Sequence, residues 1–262
     1  MEIPRWLDLS GRVAIVTGCG SASGIGVATA RALGELGSRV VITATGDHVH
    51  DRVAELGGED LDVSGVPADL TSMSGAQSVV DFAIAQAGTP TILVNNAGMT
   101  NQGLVVESGS VVDISEEQWH RGVQRNLDTA FFMSRAVIPF MRERSFGRIV
   151  FVSSVTGPVM AMRGEAAYAA AKAGMVGLMR SIAIDEAQQG ITANAVAPGW
   201  IATGALTDAE RAEGARVPIG RTADPAEVAA TIAMLCSPGN AYMTGQVIAV
   251  DGGNSIGEER SR

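Results

Sequence analysis

A tyrosine and a lysine stand four residues apart in the alanine-rich stretch AAYAAAKAG, at Tyr168 and Lys172. Alanine favours helix, and residues four apart on a helix share a face, so we expect the phenol and the ammonium to meet. At about 4–6 Å and an effective dielectric of about 20, their attraction would be roughly 3–4 kcal/mol. It would lower the pKa of the tyrosine, before desolvation, which acts in the opposite direction. Such a phenol could act as a general acid or base near neutral pH. Taken alone, however, this spacing more often marks a simple surface pair.

A glycine-rich stretch, TGCGSASGIG, is a second candidate site, with Gly18, Gly20, Gly24 and Gly26 between a β-branched run and a helical pattern. Glycines allow a backbone to approach a pyrophosphate closely, and the amino end of the following helix stabilises negative charge. The stretch therefore predicts a phosphate cradle. The alternative is a tight strand-to-helix turn that binds nothing.

Alternating patterns predict the elements that position these residues. Apolar, β-branched runs predict buried strands at Arg12–Thr17, Arg39–Thr43, Thr91–Val94, Arg148–Val152, Ile191–Val196 and Gln246–Val250. Helical spacing predicts helices at Gly24–Leu36, Ser74–Ala87, Glu116–Met141, Glu165–Gln188 and Pro225–Cys236. Strands alternating with helices indicate an α/β, doubly wound Rossmann fold, with a parallel sheet of about seven strands and helices on both faces. We expect one domain over residues 1–262, with a frayed tail from about residue 255.

Composition narrows the classes of partner. A net charge of −9 and a pI near 4.8 argue against nucleic acid or an anionic membrane surface, and favour a small-molecule ligand. No apolar run approaches the roughly 20 residues of a membrane span, and the start lacks a signal-peptide pattern. Two cysteines, Cys19 and Cys236, form neither a disulfide framework nor a metal-binding cluster. We expect a cytoplasmic protein without a bound metal.

Seven motifs in one order resemble those of the short-chain dehydrogenase/reductase family, over nearly the whole chain. Besides the two above, they are NNAG at Asn95–Gly98, Asn126, the SSV that contains Ser154, PGWIAT at Pro198–Thr203, and TGQVIAVDGG. The chain is most similar to the bacterial 3-oxoacyl-acyl-carrier-protein reductases. The resemblance implies hydride transfer between a nicotinamide cofactor and a carbonyl or secondary alcohol, and it leaves a 3-oxoacyl reductase as one possibility.

The same resemblance implies a role for each matching catalytic residue. Ser154 would bind the substrate oxygen, and Tyr168 would pass the proton. Lys172 would tune the tyrosine and bind the nicotinamide ribose. Asn126 would support a water that connects the lysine to solvent, or it could simply repair an irregular turn of its helix.

Further matching positions are implied to contact the cofactor. They lie after the strands and at the catalytic helix: Gly18, Ser23, Gly24, Ile25, Gly26, Thr45, Asp69, Leu70, Asn96, Ala97, Gly98, Tyr168, Lys172, Pro198, Gly199, Ile201 and Thr203. Asp69 and Leu70 would lie beside the adenine, and Asn96 to Gly98 along the adenosine ribose. Asn95 is expected to bridge neighbouring strands, or only to end one.

Two departures from the family pattern concern the cofactor. Five residues separate Gly18 from Gly24, two more than usual, so Gly20 to Ser23 are weaker candidates for phosphate contact. The second strand ends Thr43-Ala44-Thr45, without the acidic residue that binds the ribose 2′-hydroxyl of NAD. The stretch Thr43-Ala44-Thr45 is similar to that of the NADP-using 3-oxoacyl-acyl-carrier-protein reductases, and this resemblance implies that Thr45 lies near the 2′-phosphate. We therefore expect NADP(H) in preference to NAD(H), although no arginine stands at Ala44, Thr45 or Ser23.

The substrate stays open at this stage. Arginines that family members use to bind acyl carrier protein are replaced by Ser145 and Gln189, although Arg142, Arg144 and Arg148 could partly substitute for them. A small ketone, a secondary alcohol or an acyl-CoA thioester is an equal candidate, and the segment 105–113, which lengthens the loop after NNAG, could shape the pocket or a subunit contact.

Two alternatives to an enzyme also stay open, namely a non-catalytic nucleotide-binding regulator and a purely structural oligomeric protein. Apolar faces on the helices over Glu116–Met141 and around Tyr168 predict a homo-oligomer, by resemblance a tetramer, unless they only complete the core.

Overall fold

Seven parallel strands form one sheet at the centre of the protein. The computed structural model describes residues 3–98 and 108–258. The strands are β1 Val13–Thr17, β2 Arg39–Ala44, β3 Val63–Pro67, β4 Ile92–Asn95, β5 Gly147–Val152, β6 Ile191–Pro198 and β7 Val247–Val250. Their order is β3-β2-β1-β4-β5-β6-β7, and every neighbouring pair is parallel. The doubly wound α/β prediction and its number of strands are confirmed, although β3 was not located from the sequence.

Helices connect the strands. They are α1 Ile25–Glu35, α2 Val49–Gly57, α3 Met73–Gln86, α4 Glu116–Val123, α5 Thr129–Glu143, α6 Ala166–Glu186, α7 Asp208–Gly214 and α8 Pro225–Cys236. Short 3₁₀ turns follow α6 at Ala187–Gln189 and α8 at Pro238–Asn240. Local sequence explains where two of the helices begin. Ser115 with Gln118 and Asp224 with Glu227 form capping boxes that satisfy the free N–H groups of α4 and α8.

The helical segment predicted over Glu116–Met141 is present, but it is not one regular α-helix. A single π-helical turn, Gln124–Asp128, separates α4 from α5. The wider turn shifts the helical register by one residue and buries Asn126, which is 5% exposed. The irregular turn foreseen at Asn126 is therefore present, and it changes which side chains of α4 and α5 face the sheet.

Two layers of helices cover the two faces of the sheet. One face packs against α3, α5 and α6 around side chains such as Phe151 and Met175. The other packs against α1, α2 and α8 around Leu33 and Ile232. All five residues of β1 are buried, as expected for a central strand covered on both sides.

The order of the strands reverses between β1 and β4. Strands β1 to β3 extend the sheet in one direction, and β4 to β7 extend it in the other. In open α/β sheets, ligands bind at this switch point, beyond the carboxyl ends of the strands. Hydrogen-bonded turns continue after β7 to Gly257, and residues 259–262 of the predicted loose tail lie outside the described residues. Within the described ranges, no helix combines the length and apolarity needed to span a membrane.

Candidate active site

Ser154 and Lys172 each lie beside Tyr168 at the carboxyl end of β5. The strand delivers Ser153 and Ser154, and α6 carries the tyrosine and lysine one turn apart. Ser153 Oγ donates to the Lys172 carbonyl at 2.9 Å, which fixes α6 against β5. Lys172 Nζ lies 5.6 Å from the centroid of the Tyr168 ring and donates to the Val152 carbonyl at 2.9 Å. The prediction that Tyr168 and Lys172 share one face of a helix is confirmed.

The pKa of Tyr168 is raised, so desolvation outweighs the attraction that was expected to lower it. Burial raises the pKa of Tyr168, Ser154 lowers it through a hydrogen bond, and the Glu165 carboxylate raises it. Burial also lowers the pKa of Lys172 to about 8, because the ammonium has lost most of its water. The spacing of the two residues indicated their attraction but not the cost of burying both groups.

Asn126, in the π-helical turn, lies close to Gly98 and Lys172. Its Nδ2 donates to the Gly122 carbonyl at 3.0 Å, while its buried Oδ1 has no hydrogen-bond partner. A Cβ at Gly98 would lie 2.7 Å from that Oδ1 and 3.3 Å from Lys172 Nζ. Gly98, Asn126 and Lys172 therefore converge, and the unpaired acceptor suits a bound water between protein groups.

The glycine-rich loop is held by Asn96. Asn96 Nδ2 donates to the carbonyls of Thr17 and Gly18, at 2.9 and 3.1 Å, and the Asn96 and Ala97 N–H groups donate to Thr17 Oγ1. A Cβ at Gly18 or Gly26 would lie within 2.8 Å of the Asn96 amide nitrogen. These two glycines are needed for this contact, besides any approach to phosphate.

Asn95 does not bridge the strands as predicted. Its Nδ2 donates to Ser134 Oγ of α5 at 3.1 Å, and its Oδ1 is unpaired. The bridge between β1 and β4 is made by the next residue, Asn96, whose side chain points back across the strand ends. Alternation along an extended strand explains the difference, since successive side chains point in opposite directions.

The remaining predicted positions lie on loops at the same edge of the sheet. Ser23, Gly24 and Ile25 lead into α1; Thr45 follows β2; Asp69 and Leu70 follow β3; Pro198, Gly199, Ile201 and Thr203 end or follow β6. A Cβ at Gly204 would lie 2.9 Å from Ser23 Oγ, so the loop after β6 reaches the glycine-rich loop.

Asp69 and Leu70 differ in their exposure. Asp69 accepts hydrogen bonds from the N–H and hydroxyl of Thr71, which lower its pKa. Leu70 is 5% exposed and belongs to the core.

These residues fit a dinucleotide. Gly18 has φ +73° and Gly98 φ +147°, in backbone that other residues rarely adopt, and both keep side-chain atoms away from the groove. The unpaired Asn126 Oδ1 leaves a hydrogen-bond acceptor free at the inner end, near Lys172. Helix α1 begins at the loop and presents its N–H groups there.

Known proteins with similar sequences and folds agree with this geometry. The family model described as Enoyl-(Acyl carrier protein) reductase matches residues 18–255. The 3-oxoacyl-acyl-carrier-protein reductase FabG of Vibrio cholerae is 39% identical over 251 residues, covering 94% of this chain and 98% of that relative. The chain belongs to the short-chain dehydrogenase/reductase family.

Solved structures support the assignment. A protein provisionally assigned as a gluconate dehydrogenase from Agrobacterium tumefaciens matches with a TM-score of 0.89 at 33% identity, over 97% of this chain and 100% of that one. A variant of actinorhodin polyketide ketoreductase with NADPH matches with a TM-score of 0.85 at 34% identity, over 94% and 98%. This short-chain dehydrogenase/reductase is thus a nicotinamide-dependent oxidoreductase that acts on CH–OH and C=O groups.

The arginines that could have met an acidic carrier protein are engaged elsewhere in this reductase. Arg148 is buried, 2% exposed. Arg142 forms a two-point ion pair with Glu186, at 2.8 and 2.5 Å. Arg144 donates to Thr89 Oγ1 at 3.0 Å. Arg148 therefore offers no surface charge, while Arg142 and Arg144 are exposed but already have hydrogen-bond partners.

Sequence reasoning missed His48, whose imidazole lies against the glycine-rich loop. No motif marks this residue, because it follows β2 in a short charged stretch. Of the segment 105–113 after NNAG, residues 105–107 lie outside the described residues. Ser108, the next residue of that segment, donates to Glu165 at 2.6 Å.

Proposed function

We propose that this enzyme uses NADP(H) to reduce the keto group of 3-oxoacyl thioesters that reach it without a carrier protein. The observation that carries the carbonyl part is the meeting of Ser154, Tyr168 and Lys172 at one point. Two hydroxyl groups from neighbouring elements can both donate to a single substrate oxygen. The FabG relative supports the 3-oxoacyl class.

Each catalytic residue has a defined job in this proposal. Ser154 Oγ orients the carbonyl oxygen, and the Tyr168 hydroxyl gives it a proton. The raised pKa keeps Tyr168 protonated at neutral pH, as a proton donor must be. Lys172 then stabilises the phenolate, and Asn126 holds a water that returns a proton. The nicotinamide, when bound, supplies the hydride.

The loop between the catalytic serine and tyrosine favours an apolar substrate. Residues 155–165 read VTGPVMAMRGE, and this segment exposes Val159 at 48% and Met162 at 41%. Methionine adapts to varied apolar shapes, so this rim suits an acyl chain better than a polyol. The engaged Arg142 and the buried Arg148 argue against a large acidic partner.

The competing candidate is oxidation of a hydroxy acid, favoured by the structural match to the provisional gluconate dehydrogenase. Initial rates with NADPH should be compared for acetoacetyl-CoA, the same acyl group on acyl carrier protein, an enoyl-CoA and 5-ketogluconate. We expect the highest kcat/KM for acetoacetyl-CoA and less than a tenfold gain from the carrier protein. A large preference for 5-ketogluconate, for the enoyl substrate or for the carrier-bound form would overturn the assignment.

The assembly and its location belong to the same proposal. We propose that residues 1–262 act as one domain and form a tetramer in the cytoplasm. Phe131 on α5 and Ile184 on α6 are 40% and 79% exposed, on helices that sequence analysis assigned to subunit contacts. Both cysteines are free and buried, as suits a reducing compartment. A monomeric mass by light scattering would contradict the tetramer.

A further inference from the structure

The carboxyl end of β2 is where a dinucleotide-binding fold distinguishes a ribose 2′-hydroxyl from a 2′-phosphate. Here the strand ends at Ala44, followed by Thr45 and Gly46, and none of them carries a charge. If NADP(H) is the cofactor, a cationic partner of the phosphate must come from another part of the chain, since among these three residues only Thr45 offers a side-chain donor and it is uncharged.

The structure brings His48 to this place. A Cβ at Gly20 would lie 2.5 Å from His48 Nε2, and a Cβ at Gly46 would lie 2.9 Å from Nδ1. The same Cβ at Gly20 would lie 3.6 Å from the Cβ of Ala44. The imidazole therefore stands between the end of β2 and the glycine-rich loop, in space that exists because both neighbours are glycine.

Two unusual features of the sequence meet at this histidine. The glycine-rich loop is two residues longer than the family pattern, and Gly20 is one of the residues in its enlarged part. The end of β2 lacks a charge, and His48 lies opposite it. Among the described residues, no hydrogen bond or ion pair engages the His48 side chain, and the residue is exposed. A ring N–H is therefore free to donate to an anion.

Other charged residues nearby are less suited to this role. Arg52, one turn along α2, is ion-paired with Glu55 at 2.5 Å. Asp47 and Asp51 are exposed carboxylates that flank the histidine in sequence, where solvent and salt screen their repulsion of a phosphate. The imidazole is the nearby donor that faces the glycine-rich loop.

We propose that His48 is the residue that selects NADP(H), by donating a hydrogen bond to the 2′-phosphate of the adenosine ribose. The proposal rests on the proposed function, since it assumes that the phosphorylated cofactor is the one used. An imidazole can donate whether neutral or protonated, and the bond gains strength when the ring is charged.

Calorimetric titration with adenosine 2′,5′-bisphosphate and with adenosine 5′-monophosphate tests this without turnover. We expect the wild-type enzyme to prefer the bisphosphate by tenfold or more, and His48→Leu to lose about a factor of ten of that preference. Binding of the monophosphate should stay within about twofold. His50→Leu, a change at an exposed histidine two residues along, is the matched control and should alter neither affinity.

A second variant shows whether the effect of His48→Leu comes from losing the imidazole or from introducing leucine. Gly20→Ala places a methyl group against the ring, so it should displace His48 and lower the bisphosphate preference while the histidine is still present. If both variants keep the wild-type preference, His48 is not the selecting residue and the NADP(H) assignment stands. If the wild-type enzyme binds both nucleotides equally, the NADP(H) assignment fails together with the proposal.

Discussion

Lys172→Met should stabilise the protein while it disables the site. Lys172 is 2% exposed, and burial lowers its pKa from an ordinary 10.5 to about 8. That difference, about 2.5 pKa units, corresponds to roughly 3 kcal/mol of unfavourable free energy when the ammonium is charged. Methionine has a similar length and no charge. Losing the hydrogen bond to Val152 offsets about 1 kcal/mol, so the net gain at pH 7 should be about 2 kcal/mol.

The sign of the pH dependence follows from the lowered pKa. Below about pH 8 the lysine is protonated in both the native and the unfolded state, and the full cost of burial is present. Between about pH 8 and 10.5 the unfolded chain keeps the proton and the native protein does not, so wild-type stability rises. The advantage of Lys172→Met should therefore shrink as the pH increases through this window.

Urea unfolding of both proteins at fixed protein concentration, from pH 7 to pH 10, measures this difference. Lys172 is the only lysine in the chain, so labelling with ¹⁵N-lysine gives a single Nζ signal whose titration reports the pKa directly. A stability difference that does not change with pH, or a Nζ pKa above 10, would refute the reasoning.

Two further predictions concern the glycine-rich loop and Glu165. Gly18 has φ +73°, and Gly18→Ala places a Cβ 2.8 Å from the Ala97 Cα. The free energy of unfolding should therefore fall by about 2–4 kcal/mol. Gly57→Ala, with no atom within 4 Å of its Cβ, is the control and should gain up to about 1 kcal/mol in the same urea titration. Glu165→Gln removes a carboxylate that raises the pKa of Tyr168. Alcohol oxidation needs deprotonated Tyr168, so kcat/KM for oxidation should begin to rise at a lower pH in the variant than in the wild type. An unchanged pH profile would show that the Glu165 carboxylate does not affect the pKa of Tyr168.

The regular elements were predictable because their patterns are strong. The buried, β-branched strands such as Val13–Thr17 were found in the sequence, whereas β3 was missed because Val63–Pro67 is partly exposed and contains glycine and proline. Helix α2 was missed because it has only nine residues, and four of them are polar or charged, so its apolar stripe is short. The apolar pattern does not show the π-helical turn, because a one-residue shift leaves that pattern almost unchanged. Only the alternative considered for Asn126 pointed to an irregular turn there.

The site was predictable in its residues and less so in its contacts. Family motifs pointed to Tyr168 and Lys172, but the direction of their pKa values depends on burial, which spacing does not show. The position of His48 against Gly20 depends on how a lengthened loop folds over β2. Contacts of this kind join segments that are distant in sequence, so local patterns carry no sign of them.

Tyr168→Phe tests the central claim most directly, because it removes only the hydroxyl that passes the proton. NADPH binding and NADPH oxidation with a 3-oxoacyl thioester should be measured on the same preparations of wild type and variant. The account predicts an affinity within about threefold and turnover lower by about 10²–10⁴-fold. Turnover that stays within about tenfold of wild type, with intact binding, would show that Tyr168 is not the proton donor.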